Sequence, residues 1–307
     1  MNNRLVLGLL VSFVFLSAAA IYAKHGSSNL TTGLTTSEGD ESRGCSDLHM
    51  SFDERETVRS EQHLTIPSSE AQPLSVQAAK NGGIRVIGGG GSEYDVTVCK
   101  AAAGDDRASA QGRLAGISAS VHGGLLSVSG PGGGDWTAYL IVRAPRNAAM
   151  DLAAHNGPIS LRNLGGAVKA HSTNGPISLK ECSGDIQATT ENGPISLRGS
   201  GGKLRLETEN GPISVDLSGS QWQEGGLEAR TENGPLSLRV PAGYEAGVRV
   251  EASGHSPMRC SAAVCGQAQR TWDDEHRFIE LGSSSPAVRM STVNGPVSVE
   301  SSGDEAD

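Results

Sequence analysis

The sequence is poor in aromatic side chains. Phe, Trp and Tyr make up 4% of its 307 residues, whereas Gly occurs 41 times. Aromatic residues supply the largest buried areas in most cores, so their scarcity argues against a wide interior. Abundant glycine among short apolar residues indicates many tight turns around a thin core.

Basic residues are too few to balance the acidic ones. Lys and Arg number 25 against 34 Asp and Glu, which gives a formal net charge of -9. A nucleic-acid binder needs a basic face that replaces the counterions of the phosphates, and an anionic membrane surface likewise attracts basic segments. The charge therefore argues against both as partners.

Only one long apolar run is present, at the N-terminus. Residues 5–22 are apolar or small after a short basic start, and Ala23 offers a cleavage position. This pattern predicts a signal peptide over 1–23 and an exported protein, in the periplasm or on the cell surface. An uncleaved anchor is the alternative, because the run is close to the length that spans a bilayer. No membrane insertion is expected beyond this segment.

Cysteine is scarce, with five residues, but an exported protein can hold disulfides. Cys260 and Cys265 enclose a short loop and form the first candidate pair. Cys45 and Cys99 form a second, although spacing alone does not fix the connectivity. Cys182 occupies a repeat position that Leu holds in the preceding unit, which predicts a buried apolar residue and not a reactive thiol.

The main positive signal is an internal repeat of Asn-Gly-Pro followed by Ile, Leu or Val, then Ser, then Leu or Val. Successive copies lie 18, 18, 18, 23 and 61 residues apart, and a degenerate copy lies upstream at Asn81. The six copies begin at Asn156, Asn174, Asn192, Asn210, Asn233 and Asn294. Asn and Gly tolerate positive φ, and stacked Asn amides can hydrogen-bond, so we interpret the column as a structural ladder of turns.

Apolar and polar residues alternate on both sides of each Asn. Ile159 and Leu161 share one face and Ser160 takes the other, so each 18-residue unit holds two short strands and two turns. Asn-Gly between alternating runs fits an antiparallel meander of hairpins. Near-identical units at constant period favour stacked coils instead. We therefore predict an all-β fold of the β-solenoid type.

The remaining segments differ in composition. Residues 24–56 are rich in Ser, Thr, Gly and charge, which predicts a flexible linker. One short helix is expected near 105–114, with Asp105 as its cap. The repeat domain spans 57–300, with regular repeats in 146–240 and an irregular insertion in 241–287. A polar tail follows in 301–307.

At these residues the chain resembles a family of bacterial exported proteins of unknown function, described as putative adhesins with β-strand repeats. The resemblance rests on the serial Asn-Gly-Pro-Ile-Ser-Leu units, on Lys80 to Val86, on Gln221 to Leu227 and on Val240 to Tyr244. It covers roughly residues 57–300 and implies a right-handed parallel β-helix in the cell envelope. It carries over no catalytic residue and does not extend to 251–287.

No segment completes a catalytic, cofactor or metal motif. Gly254 to Met258 begins like a nucleophile elbow but lacks its final glycine. Gly88 to Gly91 lacks the Lys and Ser or Thr of a phosphate loop, and the cysteines have no second pair at zinc spacing. We therefore expect a protein that is not an enzyme and that holds no cofactor or metal.

Two columns of charged residues are candidate ligand surfaces, one directly before each Asn and one six residues after it. The columns are Thr173, Glu191, Glu209 and Glu232, and Arg162, Lys180, Arg198, Asp216 and Arg239. They could bind a glycan, a charged polymer, or an envelope or surface protein. The simpler interpretation is solvated charge that keeps the strands soluble.

Three functions fit the sequence. The favoured one is a non-enzymatic envelope or surface protein, an adhesin or ligand-presenting scaffold. A β-helical polysaccharide lyase or hydrolase would need converging carboxylates framed by long loops, and only 241–287 could supply such a loop. A periplasmic scaffold that binds a protein partner is the third.

Overall fold

The computed structural model describes residues 30–34, 44–52, 55–253, 255–273, 276–282 and 284–302. The predicted signal peptide over 1–23 lies outside this part of the chain, as do residues 303–307 of the predicted tail. Among the described residues, no helix is both long and apolar enough to span a bilayer.

The described chain is nearly all β, as the alternation predicts. It has one α-helix, α1 (Arg107–Ala115), and three short 3-10 helices at Cys45–Asp47, Ser68–Glu70 and Ala263–Gln267. The strands are β1 (Leu30–Leu34), β2 (Leu48–Phe52), β3 (Glu56–Pro67), β4 (Leu74–Gln77), β5 (Ile84–Gly89), β6 (Glu93–Gly104), β7 (Ser118–His122), β8 (Leu125–Ser129), β9 (Trp136–Pro145), β10 (Met150–Ala154), β11 (Ile159–Arg162), β12 (Ala167–Ser172), β13 (Ile177–Lys180), β14 (Asp185–Asn192), β15 (Ile195–Gly199), β16 (Gly201–Asn210), β17 (Ile213–Leu217), β18 (Gln223–Asn233), β19 (Leu236–Val240), β20 (Val248–Ser253), β21 (Met258–Cys260), β22 (Gln269–Trp272), β23 (His276–Leu281), β24 (Val288–Asn294) and β25 (Val297–Ser301).

Two large mixed sheets contain all of these strands except β1 and β2, which pair with each other. The 12-stranded sheet has the order β22-β23-β20-β24-β18-β16-β14-β12-β10-β4-β8-β7. The 11-stranded sheet has the order β21-β25-β19-β17-β15-β13-β11-β5-β9-β6-β3. The two sheets share one apolar cluster, so they enclose a common core.

Each Asn-Gly-Pro copy links the two sheets. The strand before Asn lies in the 12-stranded sheet and the strand after it lies in the 11-stranded sheet, and each pairs in parallel with the same strand of the next copy. Ile159 thus lies opposite Ile177, and Val168 opposite Ile186. The turns therefore do not close hairpins, and the antiparallel meander is wrong for these strands.

The core repeats with the coils. Inward positions of the 11-stranded sheet form one column of β-branched or Leu side chains, each at most 2% exposed: Ile159, Ile177, Ile195, Ile213, Leu236 and Val297. Ala170 and Ala188 face this column from the other sheet and are also buried. Small and aliphatic residues fill so narrow a space, which explains why no aromatic residue occurs between Tyr139 and Trp222.

The degenerate copy at Asn81 is a member of the same stack. Its strands β4 and β5 pair in parallel with β10 and β11 of the Asn156 copy. Between these copies the chain forms β6 to β9 and α1, which cover the first end of the stack. The pairing joins residues about 75 positions apart along the chain.

The segment predicted as an irregular insertion closes the other end. Strands β20 and β21 pair in parallel with β24 and β25, so the Asn294 copy lies between the Asn233 copy and this terminal coil. Val297 N–H donates to the carbonyl of Pro257 at 2.9 Å, as Leu236 N–H does to that of Pro296. His255 to Pro257, from the segment that begins like a nucleophile elbow, therefore lie in the turn before β21 of a degenerate coil.

The helix cap differs from the prediction by one residue. Asp106, not Asp105, caps α1: its carboxylate accepts from Ser109 N–H at 2.8 Å, which holds the pKa of Asp106 below its usual value. Asp105 instead pairs with Arg55 at 3.0 Å.

The linker prediction is wrong for residues 44–52. Leu48, Met50 and Phe52 are buried against the outer face of the 11-stranded sheet, in a second apolar cluster with Tyr139 and Ile141. The apolar residues of this short stretch alternate with period two, and three inward side chains were enough to form a strand.

Candidate ligand-presenting surfaces

A ladder of asparagine amides runs along one edge of the stack. Each Asn donates from Nδ2 to Oδ1 of the Asn in the preceding coil, at 2.9–3.1 Å. The ladder begins at Asn81 and continues through Asn156, Asn174, Asn192, Asn210, Asn233 and Asn294. Because every inner amide is both donor and acceptor, the ladder keeps the coils in register.

The glycine of each turn is required for a different reason from the one predicted. No repeat Asn and no glycine that follows one has positive φ. Instead, a Cβ added to Gly175, Gly193 or Gly211 would collide with the carbonyl oxygen of the equivalent glycine in the preceding coil. The turn sequence is thus set by close contact between stacked backbones, as glycine allows.

Hydroxyl groups lie beneath the ladder. Thr190 Oγ1 donates to the carbonyl of Gly175 at 3.1 Å, and Thr208 Oγ1 donates to that of Gly193 at 3.0 Å. Ser172, Thr231 and Thr292 make the same bond in their coils. These buried hydroxyls are therefore satisfied, and they belong to the framework and not to a ligand site.

The predicted acidic column lies on the same edge as the ladder. Glu191, Glu209 and Glu232 are exposed, and Thr173 is half-buried. Within the described part of the chain, no three Asp, Glu, His or Cys side chains converge as a metal site would require. The column can therefore present repeated negative charge, but the geometry gives no support to a bound cation.

The predicted basic column lies on the outer face of the 11-stranded sheet. The parallel register places the residues side by side in the order Arg162, Lys180, Arg198, Asp216 and Arg239. Arg198 and Asp216 approach to 4.0 Å, so the sign of the charge changes there. A second column, of serines, runs beside it at Ser160, Ser178, Ser196, Ser214, Ser237 and Ser298.

The outer face of the 12-stranded sheet has an open groove of about 570 Å³. It crosses β8, β4, β10, β12 and β14, and its outward residues are Leu125, Ser75, Gln77, Asp151, Ala153, Lys169, His171, Gln187 and Thr189. Ala153 is the small residue among longer neighbours, which explains the depression. This groove could not be predicted from the sequence, because it depends on the pairing of β4 with β10.

Beyond the groove, the same face carries charges that neutralise one another. Lys203 pairs with Asp185 at 2.9 Å, and Arg249 pairs with Glu280 at 2.8 Å. Arg205 binds Glu207 at 2.7 Å. Pairs at such exposed positions stabilise proteins only slightly and mainly keep the face soluble, which is the simpler interpretation of surface charge.

Two disulfides lie at opposite ends of the stack. Cys45 is bonded to Cys99, and Cys260 is bonded to Cys265, the two pairs considered from the sequence. Cys182 is a free thiol that is 2% exposed, and burial raises its pKa. A raised pKa disfavours the thiolate, so Cys182 packs as a small apolar residue.

No protein-family model matches the sequence, and no curated protein matches it. Solved structures of low similarity include a putative cell adhesion protein from Clostridium sporogenes, at 9% identity and a TM-score of 0.32. The match covers 80% of this chain and 100% of the Clostridium protein. A putative adhesin from Bacteroides fragilis has 9% identity and a TM-score of 0.35, and the match covers 80% of this chain and 97% of the Bacteroides protein. A putative lipid binding protein from Parabacteroides distasonis has 10% identity and a TM-score of 0.28, and the match covers 78% of this chain and 96% of the Parabacteroides protein. Likeness at this level says nothing about the ligand of this chain.

Proposed function

We propose that this chain is a non-enzymatic exported scaffold that presents its stacked side-chain columns to a glycan or to an envelope or surface protein, as an adhesin does. The observation that carries the proposal is the unbroken stack from Asn81 to Asn294, in which equivalent outward positions recur at the spacing of parallel strands, about 4.8 Å. Such a surface suits a long, repetitive ligand.

The proposed architecture is a right-handed parallel β-helix. Successive coils alternate between the two sheets and pair in parallel, as the coils of a β-helix do. Crossover connections between parallel strands are right-handed in nearly all proteins, which supports the proposed hand.

Export is supported by two features. The first 23 residues have the pattern of a signal peptide, and the chain holds two disulfides, which persist in oxidising compartments.

The lyase or hydrolase alternative has less support from the geometry. That function needs loops that frame a groove around paired carboxylates. Within the segment that could have supplied such a loop, Val248–Ser253 and Met258–Cys260 form strands β20 and β21 of a terminal coil. The acidic column lies exposed along an edge.

Protease treatment of intact cells tests the location and the function together. Protease is added to cells that make the chain, the chain is detected by blotting, and lysed cells serve as the control. We expect digestion in intact cells, and weaker attachment to glycan-coated surfaces by cells that lack the chain. Protection until lysis would overturn the adhesin and favour the periplasmic scaffold.

A further inference from the structure

We propose that the outer face of the 11-stranded sheet binds a linear acidic polysaccharide through a basic stripe along the stack. The basic stripe consists of Arg143, Arg85, Arg162, Lys180 and Arg198. This inference rests on the proposed function, because it names the class of ligand for one surface of the scaffold.

The basic stripe places one outward cation on each of five neighbouring strands, β9, β5, β11, β13 and β15. Arg162, Lys180 and Arg198 are direct neighbours in the parallel register, and Arg85 lies beside Ser160. Adjacent strands are about 4.8 Å apart, so Arg162, Lys180 and Arg198 form a regular row. Ile87 occupies the position between Arg162 and Arg143, and Arg85 lies two residues before it on the same face. A regular row of cations matches the repeated anionic groups of a linear polymer better than it matches one small anion.

Hydroxyl groups accompany the cations on the same face. Ser160, Ser178 and Ser196 lie two residues before Arg162, Lys180 and Arg198, and all three serines are at least partly exposed. Arg binds carboxylate and sulfate groups through two parallel N–H donors, and a serine hydroxyl can both donate to and accept from a sugar hydroxyl. Together the two columns offer partners for the anionic and the neutral groups of an acidic sugar.

Acidic residues mark the limits of the basic stripe. Asp95 lies opposite Arg143 at one end, and Asp216 lies 4.0 Å from Arg198 at the other. Glu181 follows Lys180 in the turn. The whole chain has a net charge of -9, so attraction must act at short range, on a ligand that contacts the basic stripe directly.

The composition of this face favours a polysaccharide over a nucleic acid. Single-stranded nucleic acids bind largely by stacking their bases on aromatic side chains. The outward residues of β11, β13 and β15 are Ser, Arg and Lys, which offer no stacking surface. They suit a ligand whose recognition depends on anionic groups and hydroxyls.

The test measures binding of the oxidised full chain to immobilised polygalacturonate, which carries carboxylates, and to dextran sulfate, which carries sulfates. Neutral dextran and single-stranded DNA are the comparison ligands. The variant Arg162→Gln/Lys180→Gln/Arg198→Gln removes three charges from the basic stripe. The matched variant Lys203→Gln/Arg230→Gln/Arg289→Gln removes three from exposed positions on the other sheet.

We expect the wild-type chain to bind at least one acidic polymer and not neutral dextran. The stripe variant should bind about tenfold more weakly, at about 0.5 kcal/mol for each charge removed, and the matched variant should bind as the wild type does. Thermal unfolding checks that both are folded. If the stripe variant does not fold, Arg85→Gln/Arg143→Gln tests the same stripe, with an expected loss of about fivefold.

Four results would overturn the inference: no binding to either acidic polymer, an equal loss in both variants, an unchanged affinity in the stripe variant, or equal binding of DNA. In each case, attachment of cells to other glycans would leave the proposed function intact. Size-exclusion chromatography of the recovered polymer separates the two proposals. Shortening of the polymer would overturn the non-enzymatic function, whereas binding that depends on the basic stripe would still support this inference.

Discussion

The regular coils and the two ends of the stack are stabilised in different ways. Between Tyr139 and Trp222 the chain has no aromatic residue and no disulfide, and the same few columns recur in every coil. The ends contain both disulfides, α1, the antiparallel strand pairs and most of the aromatic side chains of the described chain. Trp222, between β17 and β18, and Tyr244, after β19, are the exceptions.

Strand pairing explains this difference. An inner coil has a neighbour on each side, so its backbone groups and apolar face are covered by copies of itself. A terminal coil has one unpaired edge, which would otherwise invite association with another chain. The long antiparallel strands β3 and β6 cover one end, and β20 to β23 cover the other. Repetition therefore stabilises the middle, whereas the ends depend on unique contacts.

Removal of the disulfides should weaken the ends most strongly. The Cys45–Cys99 bond closes a loop with a sequence separation of 54, against 5 for Cys260–Cys265. From the loop-closure entropy, we expect Cys45→Ser/Cys99→Ser to lower the free energy of unfolding by about 4 kcal/mol and Cys260→Ser/Cys265→Ser by about 2 kcal/mol. Urea unfolding measures both, and Cys182→Ala serves as a thiol control. An equal effect of the two pairs would contradict this prediction.

Among the regular coils in the middle of the stack, substitution of a turn glycine should lower the stability most. Gly193→Ala places a Cβ against the carbonyl oxygen of Gly175, so the coils must separate locally. We expect a loss of about 2 to 3 kcal/mol in the free energy of unfolding, which is the size of the destabilisation that overpacking causes in other protein cores. Gly199→Ala, in the same coil, adds a Cβ that meets nothing within 4 Å and is the matched control. Equal stability of the two variants would contradict this prediction, since it would show that the stacked backbones can move apart at no cost in stability.

The asparagine ladder allows a direct comparison of middle and end. Asn192 both donates to Asn174 and accepts from Asn210, whereas Asn294 only donates, to Asn233. Asn192→Ala should lower the free energy of unfolding by about 1 to 2 kcal/mol, at about 0.5–1 kcal/mol for each hydrogen bond lost. Asn294→Ala should lower it by about half as much, because one bond is lost. Thermal unfolding of both variants checks the ratio. A larger loss at Asn294 would mean that the ladder depends on its end.

The repeated middle could be predicted from the sequence because its signals are local. Alternation at Ile159, Ser160 and Leu161 indicates a half-buried strand, and a constant period of 18 residues indicates equivalent units. Together they were enough to favour stacked coils over hairpins and to place the two charged columns.

The ends could not be predicted in the same way because their contacts are non-local. The pairing of β4 with β10 crosses about 75 residues. The Asn294 copy lies between the Asn233 copy and the terminal coil, so the order of these coils in space differs from their order along the chain. The groove at Ala153 depends on the first of these pairings. The cap at Asp106 was missed by one residue, since both neighbouring aspartates are suitable caps.

Alkaline pH should sharpen the comparison between the ends and the middle, because Tyr94 and Tyr139 lie on β6 and β9 at the first end of the stack. Burial raises the pKa of Tyr139 to about 12, with a smaller opposing effect from Arg85. Above pH 10 the unfolded state loses the tyrosine proton, whereas the folded state keeps it until about pH 12. The contribution of Tyr139 to the free energy of unfolding is therefore intact below pH 10 and is lost as the pH rises from 10 to 12. Tyr139→Phe should flatten that decline because it removes the ionisable hydroxyl, and it should change little at pH 7, where the hydroxyl is protonated in both the folded and the unfolded state. Hydrogen exchange at rising pH should show β6 and β9 opening before the regular coils, and simultaneous opening of both regions would mean that the ends and the middle unfold as one unit.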